Sequence, residues 1–168
     1  MFFYRIKQFF WSLSSDINED DEKYVENILN NDELKLFKKL AKCEQKHSIN
    51  VSKDVKILCE GKDVNSEVLV KIALLHDIGK IQKSVNVINK SIIVILNSIT
   101  KGRIKKFSNI KDIDVYYNHG KMGVEILKKY GYNSRFLYLI ENHHNENILC
   151  DNELNIIRIC DNKNWVIF

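Results

Sequence analysis

All five histidines of the chain, His47, His76, His119, His143 and His144, fall in one ordered series with two acids, Asp77 and Asp161. Imidazole nitrogens and carboxylate oxygens are the ligands of hydrolytic and oxidative transition-metal sites, so this order points to a metal centre assembled from several distant segments. A single inward histidine is more often a hydrogen-bonded core residue than a ligand; the joint pattern carries the inference. Asp161 adds to it, because it lies near an apolar stripe one turn beyond Ile157 and has no adjacent basic residue on its own turn before Lys163. A buried carboxylate is costly unless it is paired or bound to a cation.

The elements that must position these residues read as helices. Proline is absent, glycine numbers only 6, and no alternating apolar and polar run is long enough for a sheet, so the chain is expected to be all-α. Helices are expected at about 19–30 and 32–59. In the second, Phe37, Leu40, Glu44, His47, Val51, Val55 and Leu58 recur at helical spacing, which turns His47 inward. A helix over about 65–77 ends at His76-Asp77-Ile78-Gly79-Lys80, with Gly79 as the residue that lets the chain leave it. The segment 85–99 is the most apolar; its β-branched residues compete for strand, and its length decides for helix. The basic run Lys101-Gly102-Arg103-Ile104-Lys105-Lys106 is expected to be a solvated loop rather than a phosphate entrance. His119 is expected to open a helix that Gly131 ends, followed by helices at about 133–144 and 151–165. Adjacent helical residues diverge by about 100°, so joint ligation by His143 and His144 requires an opened helix end.

Composition limits the remaining choices. A chain of 168 residues, 45% hydrophobic, can bury one sizeable core, with residues 33–168 forming the metal-binding helical domain and residues 1–32 adding N-terminal helices packed on it. The net charge of +4 does not demand nucleic acid as a partner. Cys43, Cys59, Cys150 and Cys160 lack CxxC spacing, and there is neither a secretory cleavage pattern nor a transmembrane segment. Reduced thiols in a cytoplasmic protein are expected. Phe2, Phe3, Ile6, Phe9 and Phe10 share one helical face, which is expected to pack on the domain; a homodimer contact or a peripheral membrane contact is the alternative.

The string Leu74-Leu75-His76-Asp77-Ile78-Gly79-Lys80, with His47 upstream and Asp161 downstream, resembles the signature of the HD-domain metal-dependent phosphohydrolases, an all-α superfamily with its site inside a helical bundle. Asn118-His119-Gly120-Lys121-Met122-Gly123 and Glu141-Asn142-His143-His144 fall where similar two-metal members carry further histidines. The resemblance spans about residues 33–165. It implies that His47, His76, Asp77 and Asp161 hold a first divalent metal, with Asp77 bridging. His119 and His143 would hold a second, and His144 is either a further ligand or a support. Iron or manganese suits such a site best, with zinc or nickel as alternatives. The implied chemistry is hydrolysis of a phosphate ester or anhydride, of nucleotide type, by a metal-activated hydroxide, with Asp77 and Lys80 in catalytic roles. Lys80 is placed like the lysine of members whose motif continues HDxGK, where the ammonium faces phosphate; the alternative is an exposed surface lysine. The cyclic-di-GMP branch carries a GYP sequence after its histidine pair, whereas here Asn145-Glu146-Asn147-Ile148-Leu149-Cys150 follows, which counts against that substrate.

Two other classes share these features. Some relatives of similar fold use the same ligands for a mixed-valent di-iron pair that activates dioxygen, so an oxygenase is one alternative. A non-catalytic signalling domain with a structural metal is the other, and the complete ligand set argues against it.

Overall fold

The computed structural model describes residues 16–82, 93, 96, 97 and 99–165. The aromatic N-terminal face and most of the apolar segment 85–99 lie outside the described residues. Among those described there are seven α-helices and no strand. The all-α expectation holds. None of these helices is long and apolar enough to cross a membrane.

Two short helices come first among the described residues, each started by the same device. Asn18 caps α1 (Glu19–Glu26) and Asn30 caps α2 (Asn31–Phe37), with Asp21 and Glu33 bonding back to the cap backbones. Each arrangement satisfies donors that a helix N-terminus otherwise leaves unmatched. Helix α3 follows at Lys42–Leu58. The single helix expected over 32–59 is therefore broken at residues 38–41. Its physical reason is a local side-chain contact: the buried Gln45 amide donates to Leu40 O at 2.7 Å and Lys38 O at 3.4 Å, satisfying the carbonyls that the break exposes.

Helix α4 (Ser66–Leu75) is the centre of the bundle. Leu69, Ile72, Ala73, Leu74 and Leu75 have no exposed surface, as expected of a helix with partners on all sides. Each buried leucine or isoleucine contributes about 1.5–3 kcal/mol of transfer free energy. Helix α4 packs against α3, α6 (Ser134–Asn142) and α7 (Asn152–Trp165), and α3 packs also on α7. After α4, the chain passes through His76 and Asp77 into a 3₁₀ turn, Ile78–Gln82.

That turn packs on α5 (Lys111–Leu127), and the contact explains Gly79. A β-carbon there would sit 1.9 Å from the backbone oxygen of His119 and 2.7 Å from the nitrogen of Gly123. Positive φ is confined, among the described residues, to Lys101 and to Gly61, Gly102 and Gly131. Gly79 thus serves close approach of two backbones rather than the helix exit expected of it. Gly120 does the same against α6, where a β-carbon would meet Glu141 O at 2.6 Å. Helix α5 also begins eight residues before His119, which lies in its middle instead of opening it. Gly131 ends the following 3₁₀ turn with φ 75°, as expected of a left-handed cap.

Candidate metal centre

Five segments meet at the end of α4. His47 comes from α3, His76 and Asp77 from the exit of α4, His119 from α5, His143 and His144 from the end of α6, and Asp161 from α7. Every histidine and aspartate singled out from the sequence is brought to one place. Nε2 of His119 lies 3.1 Å from Nε2 of His143 and 3.2 Å from Asp77 Oδ1, and Nε2 of His47 lies 2.9 Å from Asp161 Oδ1. His76, Asp77, His119, His143 and Asp161 are buried, His47 is nearly so, and His144 is half-exposed.

Local structure fixes the rings. Helix α6 ends at Asn142, so His143 caps it and His144 lies in the following turn. The opened helix end required for both to face one centre is present, with ring centroids 4.1 Å apart. Three rings are oriented by the backbone: Nδ1 of His76 donates to Ala73 O at 2.6 Å, that of His143 to Ile140 O at 2.7 Å, and that of His119 to Tyr116 O at 3.0 Å. A carbonyl can only accept, so the proton is on Nδ1, and in the neutral ring Nε2 presents its lone pair. Ligating histidines are commonly oriented in this way.

The donors form two groups. Atoms of Asp77, His119, His143 and His144 lie within 4.8 Å of one another, and so do atoms of His47, His76 and Asp161. Asp77 stands between them. Its Oδ1 lies 3.2 Å from His119 Nε2 and 4.0 Å from His143 Nε2, while Oδ2 lies 3.5 Å from His76 Nε2 and 3.9 Å from His47 Nε2. Asp161 spans them too, with Oδ1 toward His47 and Oδ2 3.5 Å from His144 Nδ1.

The electrostatics are those of ionised acids among crowded imidazoles. Burial pulls Asp77 upward, but Lys80, His76 and His119 outweigh it and hold the carboxyl well below the usual range. Asp161 is likewise held low by His47 and His76 against its burial. Burial opposes charge on His76, yet Asp77 and Asp161 lift it to about 9. His143 is pushed well below the ordinary imidazole value by burial and by His144 and His119.

Divalent cations fit these residues on a direct observation. His76 Nε2, Asp77 Oδ1 and Asp161 Oδ2 are buried and make no hydrogen bond. Buried polar atoms are normally paired, and an unpaired one costs about 1–3 kcal/mol. With Nδ1 of each ring on a backbone carbonyl, Nε2 of His119 and of His143 face each other across 3.1 Å, a separation that two ligands of one cation also have. Donors bound to one cation at about 2.0–2.2 Å lie about 3–3.5 Å apart, close to several of the separations above.

Lys80 is not the exposed surface lysine that was one of its alternatives. Its side chain is 13% exposed and bonds Asp77 Oδ2 at 2.5 Å and Glu44 Oε2 at 3.1 Å. Glu44 is the residue that the sequence reading passed over. It sits on the same stripe as His47, and its signal in the sequence is that of Asp161, a carboxylate on a buried helix face. The basic run at residues 101–106 is mostly exposed, as expected, but it is not all loop: Arg103–Phe107 forms a 3₁₀ turn that buries Ile104, and Lys105 lies over the ring of Tyr117 at 5.7 Å.

An all-helical domain with a buried histidine and aspartate cluster at its centre defines the class. A family model, HD domain, matches residues 45–164, which include all seven clustered residues. The chain belongs to the HD-domain family, a superfamily of metal-dependent phosphohydrolases. Neither curated proteins nor solved structures gave a match.

Proposed function

We propose that the protein is a metal-dependent phosphohydrolase that cleaves a phosphate ester or anhydride, of nucleotide type, at a two-metal site. The observation that carries this reading is Asp77, whose two oxygens face two different histidine groups. A carboxylate can bridge two cations in this way, whereas a neutral imidazole cannot. His47, His76, Asp77 and Asp161 would hold one ion. Asp77, His119, His143 and His144 would hold the other. Asp161 Oδ2, directed at His144, supports counting that residue among the ligands.

Two divalent ions, when bound, supply Lewis acidity and an activated water near neutral pH. The chain does the rest. Hydrogen bonds from Nδ1 to helix carbonyls hold the rings in register, and burial of the donors keeps bulk water from screening their charges. Lys80 acts as a point charge for the phosphoryl oxygens, where negative charge gathers in the transition state. The imidazole-rich, thiolate-free donor set supports iron or manganese, with zinc and nickel as competitors. The nucleotide reading rests on the family resemblance, and the turn after His144 still lacks the GYP sequence of the cyclic-di-GMP branch.

Metal analysis of the purified protein, joined to a screen of phosphate monoesters, diesters and nucleotides, tests the proposal. About two equivalents of metal and turnover that Asp77→Ala abolishes are expected. Turnover retained in Asp77→Ala, or metal at one equivalent or less, would remove the bridged pair. Consumption of dioxygen by iron-loaded protein would favour the oxygenase reading.

A further inference from the structure

Glu44 is a buried acid that the ligand set above does not use. It lies on α3 one turn before His47, with a side chain 8% exposed, and accepts from Lys80 Nζ at 3.1 Å. The same ammonium bonds Asp77 Oδ2 at 2.5 Å, and that is the oxygen facing His47 and His76. Lysine therefore already stands, as a monovalent cation, on the carboxylate oxygen that a divalent ion between those rings would take. Two cations sharing one oxygen in a buried site repel each other strongly. The lysine stem is flexible, and its second anion is already within reach.

We propose that Glu44 is the positioning residue of Lys80. It provides a second seat for the ammonium, so that a divalent ion claiming Asp77 moves Lys80 wholly onto Glu44. The inference rests on the metal-centre reading and assigns Lys80 two states. Without metal it neutralises Asp77. With metal it is held by Glu44 at the less buried edge of the site, since Lys80 and Glu44 keep 13% and 8% of their surface while Asp77 keeps none. There it is free of Asp77 and faces an incoming phosphate.

The test is calorimetric titration of the metal-free full chain with Mn²⁺, for wild type, Lys80→Met, Glu44→Gln and the double variant. Removing the competing ammonium should tighten metal binding by about tenfold or more, and removing its second seat should weaken it by about tenfold. In the Lys80→Met background the Glu44→Gln change should shift affinity by less than about threefold, because nothing is left to position. A Glu44→Gln effect of equal size with and without Lys80 would make Glu44 a ligand or a distant charge and overturn the inference. So would unchanged or weaker binding in Lys80→Met. Lys80→Gln repeats the measurement if the methionine variant folds poorly. Wild-type protein that takes up no divalent metal would overturn the centre itself; uptake indifferent to Lys80 overturns only the positioning.

Discussion

Of the five acids buried among the described residues, four besides Glu44 fall into two regions that the chain treats in opposite ways. On the flank, Asp21 accepts from Lys46 at 2.5 Å, Lys53 at 2.6 Å and the Asn18 backbone, and Glu33 accepts from Lys71, Tyr132 and the Asn30 backbone. At the centre, Asp77 and Asp161 are just as buried, yet each keeps an oxygen without a hydrogen bond, and so does His76 Nε2. Carboxyl pKa values are depressed in both regions, so that property does not separate a structural acid from a functional one. Unmatched donors do. A flank whose acids are fully matched by protein groups needs nothing further, whereas the centre, where Lys80 and His47 each take one carboxylate oxygen, still holds unmatched lone pairs that a bound cation would fill.

Deleting the shared carboxylate should break the contrast most severely. Asp77→Ala is expected to lose about 10³-fold or more in phosphoester turnover, the equivalent of about 4 kcal/mol of transition-state stabilisation. Its metal content, read by elemental analysis, should fall with it. Asp21→Asn should leave both unchanged, and equal loss in the two variants would mean that the centre is structural.

Metal removal is the next lever. A ligand at about 1,000 times its dissociation constant stabilises the fold by about 4 kcal/mol, which in a chain of this size raises Tm by about 8–16 °C. A chelator should reverse that gain in wild type and do nothing in Asp77→Ala, as followed by thermal unfolding. Stabilisation of the same size in the alanine variant would place the ion elsewhere.

How far the sequence exposes each region follows from the same physics. The order of His47, His76-Asp77, His119, His143-His144 and Asp161 is legible because ligand types are rare and chemically distinct, and α4 because its apolar run is nearly unbroken. The break at residues 38–41 is not, since neither glycine nor proline marks it and Phe37, Leu40, Glu44 and His47 keep helical spacing across it. It exists because Gln45 turns its amide onto the freed carbonyls, a contact with no periodic trace. Gly79 is legible as special but not in its role, which depends on α5 lying against it. The start of α5 is hidden because Lys111–Asn118 mixes charges with the β-branched Ile113 and Val115 and two tyrosines and has no capping side chain before it, and the Glu44–Lys80 pair because its members stand 36 residues apart.

Breaking the flank should affect the fold and spare the metal. Glu33→Gln leaves Lys71 and Tyr132 without their anion, and losing one partner of a fully buried pair costs about 3–5 kcal/mol. Lys71 keeps 28% of its surface in water, so a smaller loss of about 2 kcal/mol is expected in denaturant unfolding. Metal stoichiometry should remain that of wild type; a variant that loses metal along with stability would show that the two regions are coupled.

The smallest effect concerns acid. Burial pulls Glu33 upward, but hydrogen bonds from Tyr132 and Lys71 outweigh it and leave the carboxyl below its ordinary value of 4.5. Between the folded and ordinary values the unfolded chain binds the extra proton, so stability rises with pH across that window. Glu33 therefore contributes fully above about 4.5, and the contribution disappears as pH falls through the folded value. In chelator-treated protein the Tm difference between wild type and Glu33→Gln should stay constant from pH 7 to about 5 and shrink below about 4.5. A difference that shrank on raising the pH instead would mean that Glu33 is protonated in the fold, and the flank would no longer be the electrostatically satisfied counterpart of the centre.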